Sequence, residues 1–189
     1  MRPSFATLFP HRGSQFNLNN VLATAGGVGL HQNTKNVSLT PDLNTGALTV
    51  EPCPIGQGDS GMWVCYVPTK ATYGIASGGQ TWAASGPFSG CEIVLGTANG
   101  QVFLTHIAKE SGSDASDTWR NRNWNNVVIW GQWKVAIPSD TFFSASHVFV
   151  DWSAGLGPNA VKIVRIDVNT GNQMGGSSGK IFEVVNLGN

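Results

Sequence analysis

The feature that most constrains the fold is the shortness of the apolar runs, which are separated by turns rich in Gly, Asn, Ser and Pro. The chain has 189 residues, and its 24 glycines and 9 prolines are too many for an all-helical protein. Short apolar runs between turn residues are typical of β-strands. The pattern predicts strands at residues 36–39, 47–50, 62–67, 101–107, 130–137, 146–152, 160–168 and 180–185.

We therefore expect an α+β fold in which a β-sandwich of mixed sheets is flanked by a few short helices. The length suits a single domain that spans residues 1–189. Helices are predicted at residues 17–25 and at residues 118–127, and residues 74–79 and 82–87 are predicted to be small-residue loops.

The dipeptide Asn99-Gly100 is the strongest local signal in the chain. Asn-Gly between two apolar runs favours a tight β-hairpin, because both residues tolerate the positive φ angles of the turn. We therefore expect the segment that contains residues 91–95, which by its pattern alone is a strand or a helix, to lie beside the strand at 101–107.

Charge and hydropathy exclude several classes of protein. The 11 Lys and Arg residues balance 11 Asp and Glu residues, so the chain lacks the basic character of a nucleic-acid-binding protein. It contains no run of 18 apolar residues, and we therefore expect no membrane span. The first ten residues lack the apolar core of a secretory signal, so we expect any export to use a route without a cleaved leader, unless a leader precedes this sequence.

The three cysteines, Cys53, Cys65 and Cys91, leave at least one thiol without an internal disulfide partner. A disulfide between Cys53 and Cys65 would close a Gly-rich loop, while three reduced thiols, as in a cytosolic protein, is the alternative that the composition favours. No cysteine has zinc-site spacing, and no phosphate-binding Gly-x-x-x-x-Gly-Lys motif is present. We therefore expect no cofactor and no metal.

The segment Gly58-Asp59-Ser60-Gly61 has the residues that surround the nucleophile of chymotrypsin-like proteases. Only 59 residues precede Ser60, too few for the barrel that supplies the base in that family. We therefore interpret the segment as a Gly-rich turn that enters the strand at 62–67.

Cys91, in Ser89-Gly90-Cys91, and His106 form the candidate reactive pair. A nearby imidazole can lower the pKa of a thiol, and the resulting thiolate is a strong nucleophile towards a carboxamide or acyl carbon. The predicted hairpin would bring the strand of His106 back beside Cys91, and Gly90 would let a substrate carbonyl approach the backbone. The alternative is that Cys91 is a small buried hydrophobic residue and that His106 is structural.

The Ser-Gly-Cys segment, with a histidine 15 residues later, resembles the catalytic segment of the bacterial toxin glutamine deamidases. These are the catalytic domain of the cytotoxic necrotising factors and the Burkholderia lethal factor. The Trp- and Arg-bearing stretch after His106 is similar to the lethal factor, and the resemblance covers residues 86–133, a quarter of the chain.

The resemblance also implies a third catalytic residue. In the lethal factor and in the chemotaxis receptor deamidase, a threonine six positions before the cysteine orients the histidine. Ser85 occupies that position here and keeps the hydroxyl. In the necrotising factors a more distant backbone carbonyl does this instead, and that alternative stays open for His106.

The resemblance implies a single catalytic domain that acts as a cysteine-dependent protein glutamine deamidase, a toxin or effector that is secreted or translocated from a bacterium into host cytoplasm. Its partner would be a host protein that carries a reactive glutamine, and we expect a monomer that binds no nucleic acid. Two other functions remain open: a transglutaminase that uses the same thioester, and a non-enzymatic β-sandwich binding module.

Overall fold

The computed structural model describes residues 1–21, 30–77, 79–136, 144–171 and 178–188. Two short helices, α1 (Phe5–Leu8) and α2 (Ala115–Arg120), and a 3₁₀ turn at Phe9–His11 accompany thirteen strands within these ranges. The strands are β1 (Gln15–Leu18), β2 (His31–Gln32), β3 (Thr34–Pro41), β4 (Leu48–Pro52), β5 (Gly61–Cys65), β6 (Ala71–Ile75), β7 (Trp82–Phe88), β8 (Glu92–Ala98), β9 (Gln101–Ile107), β10 (Val127–Lys134), β11 (Ser144–Asp151), β12 (Lys162–Asn169) and β13 (Gly179–Asn186).

Eight of the strands form a closed barrel in the order β1-β13-β12-β11-β7-β5-β3-β4. The chain is therefore mostly β, with two sheets and few short helices, as predicted, but the expected β-sandwich is wrong. The reason is β1, which pairs with β13 on one side and with β4 on the other, so the first strand joins the two edges of the sheet. The barrel is mixed, because β1 runs parallel to β4 and β5 runs parallel to β7.

The second sheet has the order β10-β8-β9-β6-β2 and packs against the outside of the barrel wall. Successive side chains of β7 serve two cores, because side chains alternate across a strand. Trp82 and Ala84 pack inside the barrel, whereas Ala83 packs between the barrel and the second sheet. Phe88 also packs between them, because the pairing of β7 with β11 shifts register between Ser85 and Phe88. We call the region between the barrel and the second sheet the intersheet layer; it also contains Cys91.

The hairpin predicted at Asn99-Gly100 is confirmed. Asn99 has φ 50° and Gly100 has φ 77°, as a tight two-residue turn requires, and Ala98 pairs with Gln101. The turn sets the register of β8 against β9, which places Ile93 opposite His106.

Several local predictions are wrong. Residues 82–87 are the central barrel strand β7, and residues 74–75 end strand β6. The predicted helix at 118–127 is the shorter α2, and β10 begins already at Val127. Of the predicted helix at 17–25, residues 17 and 18 belong to β1, and residues 22–25 lie outside the described residues.

Strand β10 is one edge of the second sheet, and its pairing with β8 is interrupted by a bulge between Ile129 and Gly131. Val128 and Ile129 of this strand are exposed. A bulge of this kind increases the local twist of the strand.

Close packing at Gly61 gives a test of the barrel. A Cβ atom on Gly61 would lie 2.2 Å from two ring carbons of the buried Trp82, whose indole N–H is fixed by the Asp59 carbonyl at 2.8 Å. We expect Gly61→Ala to lower the free energy of unfolding by about 1–3 kcal/mol, as overpacking does. Gly188→Ala, where the nearest atom would lie at 3.4 Å, is the control for thermal unfolding; equal stabilities of the two variants would contradict the packing described.

Candidate functional site

Strands β7, β8 and β9 bring the three predicted site residues to one region, the intersheet layer. His106 on β9 lies opposite Ile93 on β8, and Cys91 precedes Ile93 by two residues. Because side chains two residues apart share a face of a strand, Cys91 and His106 point to the same face of the second sheet. Ser85 reaches the same layer from the barrel wall, since its hydroxyl lies 2.8 Å from Nδ1 of His106.

The hydrogen bonds of Ser85 determine which ring nitrogen of His106 carries the proton. Ser85 Oγ lies 2.7 Å from the carbonyl oxygen of Val64, which can only accept. The single hydroxyl proton of Ser85 is therefore donated to Val64, and Nδ1–H of His106 must donate to Ser85 Oγ. It follows that Nε2 of the neutral ring has a free lone pair, as a general base requires.

Nε2 of His106 is buried and has no hydrogen-bond partner among the described residues. Cys91 and His106 therefore share one face but are not hydrogen-bonded; Cys91 lies two residues before Ile93, the residue directly opposite the histidine. In this closed arrangement both residues are almost fully covered, with 3% of Cys91 and 1% of His106 exposed.

Aromatic side chains enclose the His106 ring. Phe88 stacks on it with a centroid distance of 4.1 Å and an interplanar angle of 8°, and the Tyr66 ring lies 5.2 Å away at 42°. Burial in this apolar surrounding and, to a lesser extent, the electrostatic influence of His147 lower the pKa of His106 to about 3. The imidazolium–thiolate ion pair expected from the residue types is therefore not the resting form; His106 is neutral at pH 7.

His147 lies on the inner side of the barrel wall, where it packs against Phe16 and Trp63. It approaches the wall at Gly86, where a Cβ atom would lie 2.1 Å from Nδ1 of His147. Because Gly86 has no side chain, His147 can approach the wall closely enough to affect the pKa of His106.

The backbone beside Cys91 is open to an incoming group. Gly90 has φ 100°, a Cβ atom there would have nothing within 4 Å, and the neighbouring Ser89 is exposed. The N–H of Gly90 donates to the Val135 carbonyl at 2.9 Å, so this amide is not free to hold an oxyanion. The N–H of Cys91 has no acceptor among the described residues, and this amide is the backbone donor that remains.

Two contributors to the site were missed from the sequence, Tyr66 and Phe88. Phe88 immediately precedes the Ser-Gly-Cys segment, and an aromatic residue at that position was the available signal. Tyr66 follows β5 and reaches His106 only through the tertiary fold, so no local pattern could identify it.

The other sequence motifs have structural roles. Residues 57–59 form a bend that leads through the buried Ser60 into β5, and Asp59 pairs with Arg2 at 3.0 Å on the surface. This is the turn expected at that segment. Cys53, Cys65 and Cys91 are all free thiols, and Cys65 Sγ lies 3.3 Å from the Val21 carbonyl inside the barrel.

No protein-family model matches this chain, and no curated protein is significantly similar to it in sequence. Within the described ranges, no helix has the length and hydropathy needed to cross a bilayer. The same ranges contain no cluster of three or more His, Cys, Asp or Glu side chains that could hold a metal ion.

The Ser85 hydroxyl can be tested by its effect on stability. Ser85→Ala would leave the Val64 carbonyl without a donor and His106 Nδ1–H without an acceptor, both in a buried site. We expect the free energy of unfolding to fall by about 1–3 kcal/mol in urea titrations. The exposed Ser89→Ala is the matched control, and a Ser85→Ala variant as stable as this control would contradict the hydrogen bonds described.

The low pKa of His106 predicts a pH dependence of stability. The folded-state pKa of about 3 lies below the ordinary value of 6.5, so the unfolded chain binds this proton more tightly. The contribution to stability is complete above pH 6.5 and is lost as the pH falls towards 3, by up to about 1.4 kcal/mol per pH unit. His106→Gln should show a correspondingly flatter dependence of unfolding free energy on pH between 6.5 and 4, and parallel curves for wild type and variant would contradict the assignment.

Proposed function

We propose that the chain is a cysteine-dependent amidohydrolase that converts a glutamine side chain of a protein to glutamate. Cys91 is the nucleophile, His106 is the base and acid, and Ser85 positions the His106 ring. The observation that carries this proposal is the pair of hydrogen bonds at Ser85, which leaves Nε2 of His106 unprotonated on the face that Cys91 also occupies.

The chemistry begins from a neutral pair. Nε2 of His106 accepts the proton of the Cys91 thiol as Sγ attacks the carboxamide carbon, and a tetrahedral oxyanion forms. The imidazolium then returns this proton to the nitrogen, the C–N bond breaks, ammonia leaves and a thioester remains. Water, deprotonated by the same Nε2, attacks the thioester, and its proton returns to Cys91 as the glutamate is released.

The backbone N–H of Cys91 is the group that would hold the oxyanion, because the Gly90 amide is already bonded to Val135. One such donor contributes about 3 kcal/mol in comparable sites. A Cβ atom on Gly90 would meet nothing within 4 Å, which leaves room for part of a substrate beside the residue that precedes this amide.

The product carries one new negative charge in place of a neutral amide. If the modified glutamine positions a catalytic water, as in small GTPases, the target would be held in its active state. The resemblance to the toxin deamidases supports a host protein as the substrate, and an effector delivered from a bacterium into host cytoplasm as the setting.

The deamidase is tested by the mass change of its substrate. Incubation with a host-cell lysate should convert specific glutamines to glutamates, a shift of about 1 Da with release of ammonia, and Cys91→Ser should lose nearly all of this activity, because an alcohol with no strong base is a poor nucleophile. Cys53→Ser is the matched thiol control and should retain the activity. Absence of any Cys91-dependent mass shift would exclude the proposal, and capture of added amines at the same glutamines would make the protein a transglutaminase.

The burial of Cys91 and His106 favours one competing assignment, a non-enzymatic binding module in which these residues are part of the core. The two assignments differ in the reactivity of the thiol. Labelling of Cys91 by iodoacetamide in the folded protein, at a rate that falls in His106→Gln, supports the enzyme, whereas labelling only upon unfolding supports the binding module.

A further inference from the structure

The candidate site is closed in the structure described here, so a carboxamide must displace part of its cover. Ser85 and Phe88 are fully buried and belong to β7, which is paired on both sides within the barrel. Their backbones are fixed by strand pairing, and turning the Ser85 side chain away would break both of its hydrogen bonds. Tyr66 differs, because it lies just after the end of β5 and is only partly buried.

Among the described residues, one side-chain hydrogen bond and packing against the intersheet layer hold the Tyr66 ring in place. Its hydroxyl donates to Oε1 of Glu110, and Oε2 of the same carboxylate accepts the Thr69 N–H at 2.8 Å. Ser113 Oγ lies 2.9 Å from the Thr69 carbonyl and 2.8 Å from the Ala108 carbonyl, so the loop after β9 is fastened to the loop after β5.

This arrangement separates the anchor from the cover. The Glu110 carboxylate remains bound to the Thr69 amide whether or not the Tyr66 hydroxyl is bonded to it. The Tyr66 side chain can therefore rotate away from His106 by giving up its hydrogen bond to Glu110 and its packing against the intersheet layer, with both loops and all strand pairings intact.

We propose that Tyr66 is a positioning residue that covers His106, and that release of its hydroxyl from Glu110 opens the site to the substrate carboxamide. That the admitted group is a carboxamide rests on the proposed function, whereas the opening of the site does not. It predicts that His106 becomes accessible to solvent through movement of Tyr66 and not through unfolding of the barrel.

The test measures deuteration of His106 at Cε1 by mass spectrometry at a fixed pH, which reports solvent access to this one ring. Tyr66→Phe keeps the ring and removes the bond to Glu110, and we expect His106 to exchange at least about tenfold faster, a change equivalent to about 1.4 kcal/mol. Tyr73→Phe is the matched control, because Tyr73 packs on Trp124 on the opposite face of the second sheet.

A second variant tests the same bond from the acceptor side. Glu110→Ala should also accelerate exchange of His106, and the double variant Tyr66→Phe/Glu110→Ala should exchange no faster than the faster single variant, because one bond can be lost only once. Additive effects would overturn the proposal.

Cys65 distinguishes local opening from unfolding, because it is fully buried inside the barrel. The proposal requires its alkylation by iodoacetamide to stay at the wild-type rate in Tyr66→Phe. Unchanged His106 exchange, or faster exchange accompanied by equally faster Cys65 labelling, would overturn it. Neither readout involves glutamine turnover. The proposal that Tyr66 covers His106 and the proposal of a deamidase can therefore be contradicted independently.

Discussion

One hydroxyl proton determines the chemistry available in the intersheet layer. Ser85 can donate only once, and the Val64 carbonyl beside it can only accept. The same hydroxyl accepts a hydrogen bond from His106 on the second sheet. A residue of the barrel therefore fixes the orientation of a ring that belongs to the other sheet. Without this bond, the His106 ring could turn either nitrogen towards the layer, and Nε2 could not be identified as the unprotonated one.

Burial determines the protonation state of the His106 ring. The apolar cover keeps His106 neutral over the physiological range, which favours proton acceptance over a standing positive charge. A ring with so low a pKa is, however, a weak base, and hydration on opening would raise its proton affinity. In the proposed mechanism access and basicity are therefore coupled: the event that would admit a substrate would also make the imidazole better able to take the thiol proton.

The sequence identified those features of the site that local chemistry determines. Asn99-Gly100 permits the two positive φ angles of a tight turn, and this alone placed His106 on the strand paired with that of Cys91. Strand β7 escaped prediction because it is buried on both faces, so its small residues show no alternation of polar and apolar side chains.

Long-range pairing explains the remaining differences. Barrel closure depends on β1 meeting β4 and β13, which are far apart along the chain, and no local pattern encodes such a meeting. The contact between Tyr66 and Glu110 joins residues 44 positions apart for the same reason. The role expected for Ser85 came from the resemblance, and only the fold could show that its hydroxyl reaches Nδ1 of His106.

The two sheets differ in how they end. The barrel has no free edge, whereas β10 leaves one side of the second sheet unpaired among the described strands, with Val128 and Ile129 exposed upon it. The bulge between Ile129 and Gly131 interrupts the regular row of backbone donors and acceptors that an approaching strand would need. Strands of a second copy therefore cannot pair along this apolar edge in a continuous ladder. The bulge thus disfavours fibrous aggregation between copies.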